Sequence, residues 1–186
     1  MEAFLASTGL VALAEIGDKT QLLALALATR YRKPAPILLG ILLATLVNHA
    51  LAGAAGAWLL SLVGPDPMRW VLGLSFLAMA AWILVPDEPG EPRASAGRWG
   101  VFATTLVAFF LVEIGDKTQI ATVALAAKYA ALHAVVAGTT LGLLIANAPV
   151  VLLGDRIAAR MPVKLVHAIA AALFAAMGLL ALLAPV

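Results

Sequence analysis

Seven residues occur twice in this chain. Glu15-Ile16-Gly17-Asp18-Lys19-Thr20-Gln21 returns unchanged as Glu113-Ile114-Gly115-Asp116-Lys117-Thr118-Gln119. Each copy sets two acids and a lysine in a stretch otherwise built mainly of Leu, Val, Ala and Phe. Charge in such surroundings is costly, so an ionisable residue inside an apolar span marks a functional site by default. The offset of 98 residues extends well beyond the motif. It pairs Tyr31 with Tyr129, Gly40 with Gly138, Gly56 with Gly154, Phe76 with Phe174 and Met79 with Met177. The chain reads as a tandem duplication.

Composition settles the solvent. Of 186 residues 63% are hydrophobic, and the mean hydropathy is +1.04. A soluble domain of this size exposes too much surface to be so apolar. A transmembrane helix needs roughly 20 apolar residues, and six such spans fit, over about 3–27, 37–63, 68–84, 99–125, 134–153 and 166–183. The expected fold is an all-α integral membrane protein. Its first three-helix repeat is 1–85, its second is 99–186, and a polar linker, 86–98, joins them. Three spans per copy is an odd number, so the second copy enters the membrane from the opposite side. That is the inverted-topology plan of many secondary transporters, which places the site near the midplane where the repeats meet.

Basic residues give the orientation. Arg30, Arg32, Lys33, Arg93, Arg98, Arg156, Arg160 and Lys164 fall on the side of the first, third and fifth loops, and only Arg69 and Lys128 on the other. The positive-inside rule then puts the 86–98 linker in the cytoplasm and both termini outside it. The formal charge of +2 therefore reflects membrane orientation rather than affinity for nucleic acid. The lipid bilayer is the expected partner; oligomeric state is not readable. No cysteine is present, so disulfides and thiolate metal sites are excluded. Glu2 stands where a cleaved signal peptide would carry basic residues.

On a helix, residues three apart share a face, which would align Glu15 with Asp18 and Glu113 with Asp116. Gly17 and Gly115 also allow the backbone to unwind there. If the two motifs meet, four carboxylates converge with the oxygens of Thr20, Gln21, Thr118 and Gln119. Such all-oxygen sites suit hard cations, Ca²⁺, Mg²⁺ or Mn²⁺. Four carboxylates against Lys19 and Lys117 leave a charge of −2. One divalent cation neutralises that, and so do two protons. Protons should therefore compete with metal, and one M²⁺ should exchange for about two H⁺. Lys19 and Lys117 serve as charge partners, because an ammonium has no lone pair for a metal. Asn48 and Asn147 are either further cation ligands or hydrogen-bond glue between helices. His49 is either a core histidine or a proton relay.

E-x-G-D-[KR]-[TS], present twice in two three-span halves around a polar linker, resembles a broad family of divalent-cation/proton exchangers. That family includes Golgi manganese/calcium transporters and bacterial manganese exporters and is related to the LysE-type exporters. The resemblance covers nearly the whole chain. It implies a manganese (or calcium) antiporter of the bacterial cytoplasmic membrane, exporting Mn²⁺, with no cofactor and no enzymatic activity. By the same resemblance the motif acids Glu15, Asp18, Glu113 and Asp116 bind the cation. Two rival readings stand beside it. Asp18 and Asp116 could form the dyad of an intramembrane aspartyl protease, or the chain could be a divalent-cation channel.

Overall fold

The structure, a computed structural model, describes residues 1–85, 100–154 and 162–183. Among the described residues the chain forms helices and no strands. They are α1 (Glu2–Glu15), α2 (Lys19–Tyr31), α3 (Pro34–Val63), α4 (Pro65–Trp82), α5 (Val101–Glu113), α6 (Lys117–Tyr129), α7 (Leu132–Leu153) and α8 (Val163–Leu183). Three of these, α3, α7 and α8, are long and apolar enough to cross a membrane on their own. The expected linker 86–98, with Arg93 and Arg98, lies outside the described residues, as do Trp99, Arg156 and Arg160.

The first and fourth expected spans are not continuous helices. Each is two helices broken at the repeated motif. Gly17 (φ +83) and Gly115 (φ +75) sit in the left-handed region that only glycine occupies at low cost, so the helix is interrupted there and restarts two residues later, at Lys19 and Lys117. The new start is capped in the same way in both copies. Asp18 Oδ1 accepts from the Lys19 backbone N–H and Asp116 Oδ1 from the Lys117 backbone N–H, each at 2.7 Å. The second half-helices also end alike. Arg32 and Ala130 take left-handed conformations and donate to the carbonyls of Ala28 and Ala126.

The two halves interlock. α1 packs on α7, and α5, its counterpart in the second copy, packs on α3. Paired glycines make both contacts close. A Cβ on Gly40 would stand 2.8 Å from Thr105 Cβ, and one on Gly138 would stand 2.5 Å from the Phe4 carbonyl oxygen. Small residues are how membrane helices bring backbones together. α4 packs on α8, where Phe76 and Phe174, themselves 98 residues apart, have ring centroids 6.2 Å from each other. Large apolar side chains such as Leu39, Leu43, Leu51 and Trp58 on α3, and Leu173 and Leu180 on α8, point outward. A surface this apolar needs lipid or protein against it.

Candidate functional site

Both motif breaks carry their acids into the interior. Glu15 ends α1 and Asp18 begins α2; Glu113 ends α5 and Asp116 begins α6. All four acids are at most 2% exposed. The alignment of Glu15 with Asp18 along one helical face does not hold, because the helix is interrupted between them. The glycine unwinds the chain instead and turns both acids inward.

Three of the four converge. Carboxylate oxygens of Glu15, Asp18 and Asp116 all lie within 4.8 Å of one another. Oxygen ligands at about 2.4 Å from a central Ca²⁺ stand about 3.4 Å apart when adjacent and about 4.8 Å apart when opposite. The spread is thus one that a hard cation can draw together. The Thr20 hydroxyl donates to the Glu15 carboxylate. Across the same junction Lys19 Nζ is 3.4 Å from Asp116 Oδ1, an ion pair between the two motif copies. Its lysine end is one-third exposed while the aspartate is buried.

Glu113 stands apart from that trio. It interacts electrostatically with Glu15 and Asp116, but its oxygens are held from α3. Thr45 Oγ1 donates to Glu113 Oε1 at 2.6 Å and Asn48 Nδ2 donates to Oε2 at 3.3 Å. Glu15 has no such support from α7, because the counterparts of Thr45 and Asn48 there are Leu143 and Ala146. The two glutamates of an identical motif therefore sit in different surroundings.

The glutamines hold the breaks open. Gln21 Oε1 accepts from the Gly17 N–H at 3.0 Å, and Gln119 Oε1 accepts from the Gly115 N–H at 2.7 Å. On its other side Gln21 donates to the Ala146 carbonyl on α7, and Gln119 donates to Asn48 Oδ1 on α3. Each glutamine thus satisfies backbone freed by the break and ties it to a helix of the other copy. Non-helical backbone at membrane depth needs such partners.

Asn48 touches Glu113, Gln119 and the Phe110 carbonyl, so it belongs to the second motif's surroundings. Asn147 instead donates to Leu143 O within its own helix. His49 is fully buried, and neither ring nitrogen has a hydrogen-bond partner among the described residues. Thr45 is the contact that motif reading alone does not single out. It is an ordinary helix threonine without a threonine at the repeat position, so no local signal marks it.

The family description "Divalent cation/proton antiporter GDT1" matches residues 3–91 and 101–186. The chain belongs to the GDT1 family. A protein of Vibrio cholerae serotype O1, named "Putative manganese exporter", is 55% identical over 170 residues, covering 91% of this chain and 84% of the relative. A GDT1-like protein of Synechocystis is 31% identical, covering 94% of this chain and 93% of its own. GDT1-like protein 3 of Oryza sativa subsp. indica is 28% identical, covering 93% and 71%. No solved structure matches the chain. As a GDT1-family member this is a membrane transporter of divalent cations and not an enzyme, which removes the aspartyl protease reading.

Proposed function

We propose that this GDT1-family protein exchanges Mn²⁺ for protons at a site made by Glu15, Asp18 and Asp116, with Glu113 as an accessory acid, and exports the metal from the cytoplasm. The observation that carries this reading is the buried trio of carboxylates drawn from both motif copies. A hard, all-oxygen donor set without thiolate favours Mn²⁺, Ca²⁺ or Mg²⁺ over softer metals, and the name of the Vibrio cholerae relative favours manganese and export. The charge balance supports electroneutral exchange. The four acids and the two motif lysines sum to −2, which one divalent cation or two protons cancels. Lys19 and Lys117 balance charge and do not bind metal.

The same reading takes the molecule as six spans in two inverted three-helix repeats, with α1–α2 and α5–α6 each crossing as one broken helix. The 98-residue offset, the exchange of α1 onto α7 and α5 onto α3, and the meeting of Phe76 with Phe174 support a two-fold relation between the copies. The Lys/Arg count supports termini outside the cytoplasm in a bacterial inner membrane.

Proteoliposome flux tests the reading. Wild-type protein should take up Mn²⁺ saturably when a pH gradient is imposed and lose that uptake when the gradient is collapsed. Clamping the voltage should change the rate little. Glu15→Gln should abolish the gradient-driven flux. A large current accompanying Mn²⁺ uptake would overturn electroneutral exchange, and unsaturable flux indifferent to pH would favour the channel.

A further inference from the structure

The two motif breaks are the same in sequence but not in cover. Over the first, the start of α8 closes down. A Cβ on Gly17 would stand 2.5 Å from Val163 Cγ1, and His167 Nε2 donates to the Ile16 carbonyl at 2.6 Å. Over the second, no described residue closes down. A Cβ on Gly115 would meet no atom within 4 Å among the described residues, and Ile114 is 55% exposed. Yet the 98-residue offset supplies the second break with a counterpart to α8, namely α4, and a counterpart to His167, namely Arg69. In this structure Arg69 is not engaged there. Its guanidinium lies over the Trp70 ring, and its Nε has no hydrogen-bond partner among the described residues.

The helix packing is lopsided in the same sense. α8 leans on α1 and α4 leans on α6. The mirrored contacts, α4 on α5 and α8 on α2, are not made on that scale among the described residues. Irregular backbone at membrane depth persists only where protein buries it or water reaches it. Of the two bends, Ile16–Gly17 is covered by α8, and among the described residues Ile114–Gly115 is uncovered, so only the second is open for water to reach.

We infer that His167, with Val163, is the latch of a closed gate over the first motif, and that Arg69 is the idle latch of the mirrored gate. In the opposite state α4 would swing onto α5 and Arg69 would donate to the Ile114 carbonyl as His167 releases Ile16. The α4–α8 pair, joined at Phe76 and Phe174, moves between two mirrored leans, so one gate opens as the other shuts. Such a pair gives the exchange reading above, on which this inference rests, a way to expose one site to one side at a time. Since α8 starts on the side of the basic loops and α4 on the other, this state opens away from the cytoplasm in the proposed orientation.

The chain has no cysteine, so single cysteines report accessibility cleanly. Ile16→Cys and Ile114→Cys are to be labelled with a water-soluble maleimide in metal-free lipid nanodiscs, where both faces are reachable. The expected result is fast labelling at 114 and slow labelling at 16. Adding His167→Ala should speed labelling at 16 by about tenfold, or ~1.4 kcal/mol of opening, and slow it at 114. His167→Gln, which keeps a donor, should restore the original rates. Unchanged labelling at 16 in His167→Ala overturns the inference, and so does a rise at both positions, which is loosening rather than a latch. Arg69→Ala should leave equilibrium Mn²⁺ binding intact while cutting flux by about tenfold; full flux in that variant also overturns it. The labelling is read without metal or proton flux. A protein that fails to exchange Mn²⁺ for H⁺ but shows this pattern keeps the gate and loses the exchange reading.

Discussion

The ammonium of Lys19 stands 3.4 Å from Oδ1 of Asp116, so a lysine of one motif copy neutralises an acid of the other. Removing that charge should make the acid cluster more attractive to a divalent cation and slower to let it go. Lys19→Gln is expected to tighten Mn²⁺ binding several-fold by calorimetry while lowering steady-state flux. Because the lysine is one-third exposed, solvent weakens the pair, and the protein should still fold. Lys19→Arg should behave nearly as wild type.

The two glutamates should not be equivalent. Glu15 belongs to the carboxylate trio, whereas Glu113 is tied to Thr45 and Asn48. Glu15→Gln should weaken Mn²⁺ binding by more than the roughly 10- to 100-fold that losing an outer partner costs. Glu113→Gln, which keeps an amide oxygen to accept from Thr45 or Asn48, should stay within that range. Calorimetric titration of both variants in detergent reads the difference, and equal losses would count against the trio.

Acid should oppose metal. In the proposed exchange, protons and the cation compete for the same carboxylates, so the apparent Kd should rise as pH falls and never the reverse. If two protons leave per ion bound, log Kd changes by up to about two per pH unit in the titrating range. A Kd measured at several pH values gives the proton number directly.

Helix contact through Gly56 should be intolerant of bulk. A Cβ there would stand 2.2 Å from the Val123 carbonyl oxygen, and backbone cannot step aside as a side-chain tip can. Gly56→Ala should cost about 1–3 kcal/mol and lower the thermal midpoint in detergent. Gly9→Ala is the control, because a Cβ on Gly9 meets nothing within 4 Å.

Much of this was legible in the residues. The repeat, its offset and the burial of acids among apolar residues needed no coordinates, because a charge in a hydrocarbon span stands out wherever it is placed. The glycine inside each motif even carried the possibility of an unwound helix. What local pattern did not carry was which groups meet across the interior. Thr45 holds Glu113 only because α3 packs on α5, and His167 reaches Ile16 only because α8 folds back onto α1. Neither has an identical residue at the repeat position, so the duplication that exposed the motif concealed both. Spacing suggested four acids acting together, whereas the differing partners of Glu15 and Glu113 arise from substitutions elsewhere in the two copies.

That difference bears on why the copies are joined in one polypeptide. An assembly of two identical three-helix subunits would have to surround both glutamates with the same neighbours, since every mutation would strike twice. A fused pair is free of that constraint. Thr45 and Leu143 occupy matching positions, and such a split leaves the two glutamates free to take on different tasks.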